Sequence, residues 1–267
     1  MTAGARLDSA GRRARDTSGR RRRTLADRPV GSPANPPVPG PHGEVIRADD
    51  VHFSYGTTPA LRGVSLTLHA GESIALMGSS GSGKSTLLHC MAGILTPAPG
   101  EITLLGEPLS SLPEAARNRR RLESMGIVFQ FGALVSELTL RENVMLPLEL
   151  LGRSRTEARR DADEMLERLG IAEVAGRRTS EVSGGQAQRG AVARALVHRP
   201  PLLLADEPTG SLDSVSGDGV MQAFTEAAKD LGSALLVVTH DHRVAAYLDH
   251  HLTMRDGQLA SADRERS

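Results

Sequence analysis

Three short stretches of this sequence have residue types and spacings that could handle a phosphorylated ligand. The first is Gly78-Ser79-Ser80-Gly81-Ser82-Gly83-Lys84-Ser85-Thr86, which follows an apolar run ending at Met77. It fits G-x-x-x-x-G-K-[ST] between a strand and a helix, the context that pattern needs. Glycines let backbone N–H groups close around phosphate oxygens, and a helix start adds partial positive charge. Lys84 would reach the outer phosphates, and the Ser85 hydroxyl is placed to bind Mg2+. Lys84 is one of only two lysines, the other being Lys229, so its place in the pattern is informative. The rival reading is a Gly/Ser-rich turn that merely caps a helix. Alone, the loop does not separate GTPases, kinases, motors and transport ATPases.

The second stretch is Leu202-Leu203-Leu204-Ala205-Asp206-Glu207. An apolar strand ending in two carboxylates puts them at the edge of the sheet, where α/β proteins hold ligands. Asp206 would hold Mg2+, directly or through water. Glu207 would polarise an attacking water as a general base. The plainer alternative, two acids facing solvent, loses ground to the phosphate loop upstream. The third stretch, Val182-Ser183-Gly184-Gly185-Gln186, opens a helix and makes a second anion-binding helix start. One triphosphate does not need two such cradles. Two copies of the chain could use both, if one copy's cradle covers the other's nucleotide. The alternative is an ordinary cap, a serine followed by flexible glycines.

Taken in chain order, with Val182–Gln186 between Gly78–Thr86 and Leu202–Glu207, the three stretches resemble those of ATP-binding-cassette (ABC) ATPases, Val182–Gln186 matching that family's signature. Further residues agree with the resemblance over about Glu44–Leu259. Tyr55, in Phe-Ser-Tyr-Gly, matches the aromatic that stacks on adenine. Gln130, in Val-Phe-Gln, matches the glutamine linking Mg2+ to the transmembrane partner. Ser211-Leu212-Asp213 matches the loop between subunits, and His240 matches the switch histidine that contacts the γ-phosphate. Each has a bland reading beside it: Tyr55 as packing, Gln130 as a solvated loop residue, Ser211 and Asp213 as turn and cap residues. His240, His242, His250 and His251 do not have the spacing of a closed zinc site. Cys90, on the helix after the phosphate loop, reads as a buried small hydrophobe.

The resemblance implies an ATP-binding, ATP-hydrolysing subunit that energises a separately encoded membrane permease. Two copies would close head to tail around two Mg-ATP, each ATP between one copy's phosphate loop and the other's Ser183–Gln186. Catalysis would rest on Lys84, Gln130, Glu207 and His240. The implied site is cytoplasmic, peripheral on the inner face of the membrane, with no nucleic-acid partner. Asp206–Ser214 and Leu138–Val144 look like the branch serving lipoprotein release, macrolide export and antimicrobial-peptide export, with cell-division ATPases close by. The alternatives are a non-transport ABC ATPase acting in cell division, on ribosomes or on DNA, and a regulatory module without turnover. Departures from the family pattern are Val182 for leucine, Ala187 for glutamine, and Gly190 inside the signature helix, where glycine costs roughly 0.5–1 kcal/mol against alanine.

The elements that must position these residues alternate. Strands are predicted over 45–53, 64–68, 73–77, 101–105, 126–129, 202–205 and 234–239. Helices are predicted over 84–94, 185–197 and 215–231, with a mostly helical stretch over 139–178 and a hairpin at Asp256–Gly257. The pattern predicts an α/β P-loop NTPase core with a mostly parallel sheet, a small antiparallel β subdomain and an inserted helical subdomain at about 131–182. The segment from Gln130 to Leu138, with its apolar Phe131, Leu134, Val135 and Leu138, reads as a surface for a partner's short helix, with packing inside the helical subdomain as its rival.

The 267 residues are enough for one large domain with its own core. No apolar run approaches the ~18 residues of a membrane-spanning helix. A single cysteine excludes an internal disulfide. The zero formal net charge hides an asymmetry: residues 1–42 carry nine Arg and three Asp, +6, which the remainder balances with −6. That first segment, with six prolines and few large apolar residues, is expected to be a disordered tail before a domain spanning 43–267. A mildly acidic body argues against nucleic acid as the main partner.

Overall fold

The structure is a computed structural model that describes residues 43–130 and 132–260. The expected tail over 1–42 lies outside the described residues, as does Phe131 in the segment expected to meet a partner. The fold is the expected α/β arrangement of two sheets and seven α-helices among the described residues.

Two 12-residue strands, β1 (Glu44–Tyr55) and β2 (Thr58–His69), form an antiparallel ladder; β4 (Glu101–Leu104) and β5 (Glu107–Pro108) extend it in the order β2-β1-β4-β5. The second sheet has the order β10-β9-β3-β8-β7-β6. Its members are β3 (Ser73–Met77), β6 (Met125–Val128), β7 (Leu202–Asp206), β8 (Ala234–Thr239), β9 (His250–Arg255) and β10 (Gln258–Leu259). All its pairings are parallel except the β9–β10 hairpin. That hairpin turns at Asp256 and Gly257, both at positive φ, the backbone a two-residue hairpin turn favours.

Parallel strands are covered on both faces, so their side chains divide by the period of two. Ala75, Leu203, Ala205, Leu235 and Val237 enter one apolar cluster; Ile74, Leu202, Leu204, Leu236 and Val238 enter the other. The second cluster is completed by the antiparallel sheet and α1 (Lys84–Met91). The first is completed by α3 (Leu140–Leu150), α4 (Arg155–Arg168), α5 (Gly184–Leu196) and α6 (Ser214–Leu231). The helical segment therefore shares one continuous core with the sheet. A short α7 (His242–Ala245) follows β8.

Helix starts follow local chemistry. Thr139 with Glu142, Ser154 with Glu157, and Ser183 with Gln186 each form a capping box, opening α3, α4 and α5. Gly170 stops α4: its φ is +67° and its N–H donates to the Glu167 carbonyl. The expected helical stretch over 139–178 is less helical than predicted, since beyond α4 the backbone forms only single 3-10 turns at Ala172–Val174 and Thr179–Glu181. The helix predicted over 84–94 ends at Met91, three residues early. The pattern also missed α2 (Glu114–Ser124), an Arg-rich helix with Ser124 as its sole buried residue and hence no apolar stripe to read.

Gly190, costly in sequence terms, has a packing reason. A Cβ there would stand 3.0 Å from Leu140 Cδ2 and 3.5 Å from Leu134 Cδ1. Glycine lets α3 and the 134 segment press against α5. Leu134 therefore packs on the core instead of facing outward, whereas Val135 is exposed. The expected exposed apolar surface is corrected at Leu134, which the close approach to Gly190 draws inward. Cys90 is buried as expected, and burial pushes its thiol up to about 12.

Candidate functional site

Strand register gathers the candidate residues into one row. Met77 is level with Thr239, Val238 with Asp206, and Ala205 with Val128. The carboxyl ends of β3, β8, β7 and β6 are therefore aligned, and each feeds a candidate segment: 78–86, His240, Asp206–Glu207 and Gln130. At about 4.8 Å between strands the row spans about 14 Å, the scale of a nucleoside triphosphate.

The loop after β3 is held tightly on its protein side. A Cβ at Gly78 would lie 2.4 Å from the Met254 carbonyl oxygen, and one at Gly83 would lie 2.5 Å from that of Ala60. Both have positive φ, so glycine is required twice over. No side chain caps α1, which leaves its first amides open to a ligand. Lys84 is buried, and its Nζ donates to the Gly78 and Ser79 carbonyls at 2.8 Å each. Ser82 Oγ is buried without a partner. An uncapped helix start, an orphaned hydroxyl and a lysine turned onto the loop suit an anion that would engage all three.

Ser85 Oγ donates to Asp206 Oδ1 at 3.1 Å. The Asp206 carboxyl sits above its usual range, chiefly because burial penalises the ionised form, with the Ser85 hydrogen bond opposing. A divalent cation would offset that penalty. Among the described residues no group of three or more His, Cys, Asp or Glu side chains could hold a metal. A hydroxyl and one carboxylate beside a phosphate cradle still fit Mg2+, which takes few protein ligands and completes its shell with phosphates and water.

Glu207 occupies the left-handed region, at φ 47°, uncommon for a residue with a side chain and a form of strain found at functional sites. Its amide donates to the Val238 carbonyl. Its Oε1 lies 2.6 Å from His240 Nδ1, and its Oε2 accepts from Thr239 Oγ1 at 3.2 Å. Thr239, 1% exposed, also accepts the Asp241 amide at 3.0 Å. Sequence reasoning missed Thr239; its signal was a hydroxyl residue ending a wholly apolar strand next to His240. Gln130 reaches the same turn: its Nε2 lies 3.1 Å from where a Gly210 Cβ would stand, and the Gly210 amide donates to Glu207. A cleft of about 210 Å³ adjoins, lined by Glu207, Asp213, Asp218, His240 and Arg243 among others.

Tyr55 ends β1 with 56% of its surface exposed, edge-on to Phe53 at a ring separation of 5.0 Å. Its hairpin supplies the Ala60 carbonyl against Gly83, so the ring stands at the free end of the element that abuts the phosphate loop.

Ser183 stands apart from this row. Its hydroxyl caps α5 by accepting from the Gln186 amide. Gly184 lies against Leu212, and Gly185 against Ser216, instead of against residues 78–86. Asp213 caps α6, and the Ser216 amide and hydroxyl hold its carboxyl below the usual range. One copy therefore brings Ser183–Gln186 together with Ser211–Asp213, and the phosphate loop together with Asp206, Glu207, Gln130 and His240.

Comparison with known proteins is consistent with this geometry. The ABC transporter family profile matches residues 61–210. The chain is 48% identical over 210 residues to the lipoprotein-releasing system ATP-binding protein LolD of Shewanella frigidimarina, covering 78% of this chain and 88% of that one. It is 43% identical over 222 residues to LolD of Pseudomonas fluorescens, covering 81% and 97%. Among solved structures it is similar to the ATP-binding cassette MJ0796 in a dimeric post-hydrolysis state bound to ADP and Pi. The TM-score is 0.77 at 34% identity, covering 83% of this chain and 99% of that one. CbiO1 of Clostridium perfringens, part of the ABC transporter complex cbiONQ, superposes with a TM-score of 0.75 at 30% identity, covering 82% and 88%.

Proposed function

We infer the function from one premise: the chain belongs to the ABC transporter family, as an ATP-binding subunit. It binds and hydrolyses ATP and energises a membrane transporter whose permease is a separate chain. No helix among the described residues is long and apolar enough to cross a membrane. Its relatives' names point to lipoprotein release as the work done. In this reading the subunit lies peripherally on the inner face of the membrane, with 43–267 as the ATPase domain, about 131–182 as its helical subdomain, and 1–42 as a polar tail.

The observation that carries the reading is the row at the strand ends, where a phosphate cradle, a hydroxyl–carboxylate pair and a Glu–His pair share one edge. Lys84 would leave the Gly78 and Ser79 carbonyls for the outer phosphates. Ser85, Asp206 and Gln130 would hold Mg2+, which supplies charge neutralisation on the phosphates when bound. Glu207 would take the proton of the attacking water, aimed by Thr239, while His240 would donate to the γ-phosphate. Tyr55 would stack on adenine. The separation of Ser183–Gln186 from the phosphate loop in one copy supports a head-to-tail homodimer, with each signature turn closing the other copy's site and Ser211, Leu212 and Asp213 at the seam.

The test is phosphate release from Mg-ATP by the purified full chain and by Glu207→Gln. The amide keeps the shape but loses the base, so turnover should fall by about 10²–10⁴-fold. Nucleotide should stay bound, and sedimentation with ATP should show more dimer than wild type. Wild-type turnover in Glu207→Gln would remove Glu207 from this role.

A further inference from the structure

The segment carrying Gln130 is gripped by two helices. The Gly132 amide donates to the Phe129 carbonyl at 2.9 Å, bringing the chain back across Gln130. From α5, Gln188 Nε2 donates to the same Phe129 carbonyl at 3.4 Å. Arg194, two turns further along α5, donates through its two terminal nitrogens to the Gly132 carbonyl at 2.9 Å and the Ala133 carbonyl at 2.8 Å. Gln188, Ala191 and Arg194 follow one another at intervals of three, on one face of α5. A Cβ at Gly132 would rest 3.3 Å from Gln188 Oε1 and 3.4 Å from Ala191 Cβ, so the chain lies flush on that face. Beyond it, the fully buried Asn143 of α3 accepts from the Val135 amide at 2.7 Å and donates to the Val135 and Thr139 carbonyls at 3.0 Å each.

The Arg194 contact is costly to build and therefore informative. Burial lowers the pKa of its guanidinium, and no carboxylate pairs with it among the described residues. Two backbone carbonyls satisfy it, one from Gly132 at φ +67° and one from Ala133 at φ +47°. A non-glycine residue in the left-handed region needs support from its surroundings, and the fork of Arg194 supplies it at adjacent residues. The other end of α5 is the Ser183–Gln186 turn. One helix therefore carries both the turn assigned to the partner's nucleotide and the clamp on the segment that aims Gln130 at Gly210 and Glu207.

We propose that Arg194 is a positioning residue for ATP hydrolysis: its two hydrogen bonds hold the Gln130 segment on α5 and so fix the Gln130 side chain beside the Glu207 turn. This rests on the reading of Gln130 as an active-site residue. Losing the clamp releases the Gly132–Ala133 backbone and spreads Gln130 over several positions. Nucleotide held by the phosphate loop is unaffected, while the geometry needed for turnover is populated less often.

The experiment is a double-mutant cycle on the full chain with Arg194→Met, Gln130→Ala and the double variant, plus Arg194→Lys as the conservative change. Readouts are steady-state phosphate release against ATP and Mg2+, ADP binding by calorimetry, and thermal unfolding. Arg194→Met should lower kcat by about 10–100-fold with ADP affinity within about twofold, the upper figure being the cost of a misplacement of about 1 Å. Arg194→Lys, which can reach one carbonyl, should fall between, and it carries the test if the Met variant does not fold. The double variant should be no slower than Gln130→Ala, because there is nothing left to position. Losses that multiply, or wild-type kcat in both Arg194 variants beside an impaired Gln130→Ala, overturn the proposal. Wild-type kinetics in Gln130→Ala overturns the reading of Gln130 itself, and the proposal with it.

Discussion

Thr239→Val is the most discriminating perturbation of the site, because it changes shape hardly at all and removes one hydroxyl. That hydroxyl donates to Glu207 Oε2 at 3.2 Å and accepts the Asp241 amide at 3.0 Å, in a side chain 1% exposed. Glu207 then keeps only the His240 contact at 2.6 Å, with a side chain that is largely exposed. A hydrogen bond to a charged group is worth about 1.5–3 kcal/mol, and leaving the Asp241 amide unpaired costs about 1–3 kcal/mol. The second cost falls on stability. The first falls partly on the carboxylate's orientation, and 1.4 kcal/mol of it is about tenfold in rate. The expected result is kcat lowered about tenfold, KM for ATP changed by less than about twofold, and a depressed unfolding midpoint. Thr239→Ser keeps the hydroxyl and should restore most of kcat. Phosphate-release kinetics on folded protein decide the matter. A Val variant with lowered stability but wild-type kcat would show that Thr239 only ties Asp241 into place and that Glu207 needs no second anchor.

Two further outcomes follow from groups outside that contact. Lys84→Ala removes the cation that faces the phosphate cradle, so equilibrium binding of ATP and turnover should both collapse; fluorescence titration with a nucleotide analogue checks the first, and retained affinity would break the assignment of 78–86 to phosphate. His198 is held at about 4 by burial, its Nε2 hydrogen-bonded to the Met125 carbonyl and its buried Nδ1 unpartnered. A histidine pKa depressed in the folded state favours proton uptake by the unfolded chain, so its contribution is intact above about 6.5 and is lost as pH falls from there toward about 4. The loss is on the order of 2 kcal/mol after allowing for partial exposure. His198→Gln should flatten that part of the acid limb in urea-unfolding curves from pH 7 to 4, and an unchanged slope would refute the assignment.

Elements that bury apolar residues were legible in the sequence. The strands Ser73–Met77, Leu202–Asp206 and Ala234–Thr239 are buried on both faces and read as short continuous apolar runs, whereas the helix Ser214–Leu231 buries one face and shows a helical period. The helix Glu114–Ser124 was not legible because Ser124 is its sole buried residue and it turns no apolar face to the core. Strand order was out of reach for a different reason. Alternation tells which side chains share a face, but nothing in it says that β9 lies beside β3, or that β8 separates β3 from β7.

The site divides along the same line. Gly78–Thr86 and Asp206–Glu207 are chemistry written in consecutive residues, so the sequence exposes them. Their orientation comes from residues distant in the chain. Ser85 meets Asp206 across 121 positions, Glu207 meets His240 across 33, and Arg194 meets Ala133 across 61. Such partners are chosen by register and packing. Met77 level with Thr239, and Val238 with Asp206, bring the β3, β8 and β7 ends together, and Gly190 lets α3 and the 134 segment settle against α5. A one-residue slip of β8 would turn Thr239 to the opposite face of the sheet. Glu207 would then keep its motif and lose its aim. The residues proposed to carry hydrolysis can therefore be read locally, whereas those that would orient them depend on the whole core folding in one register.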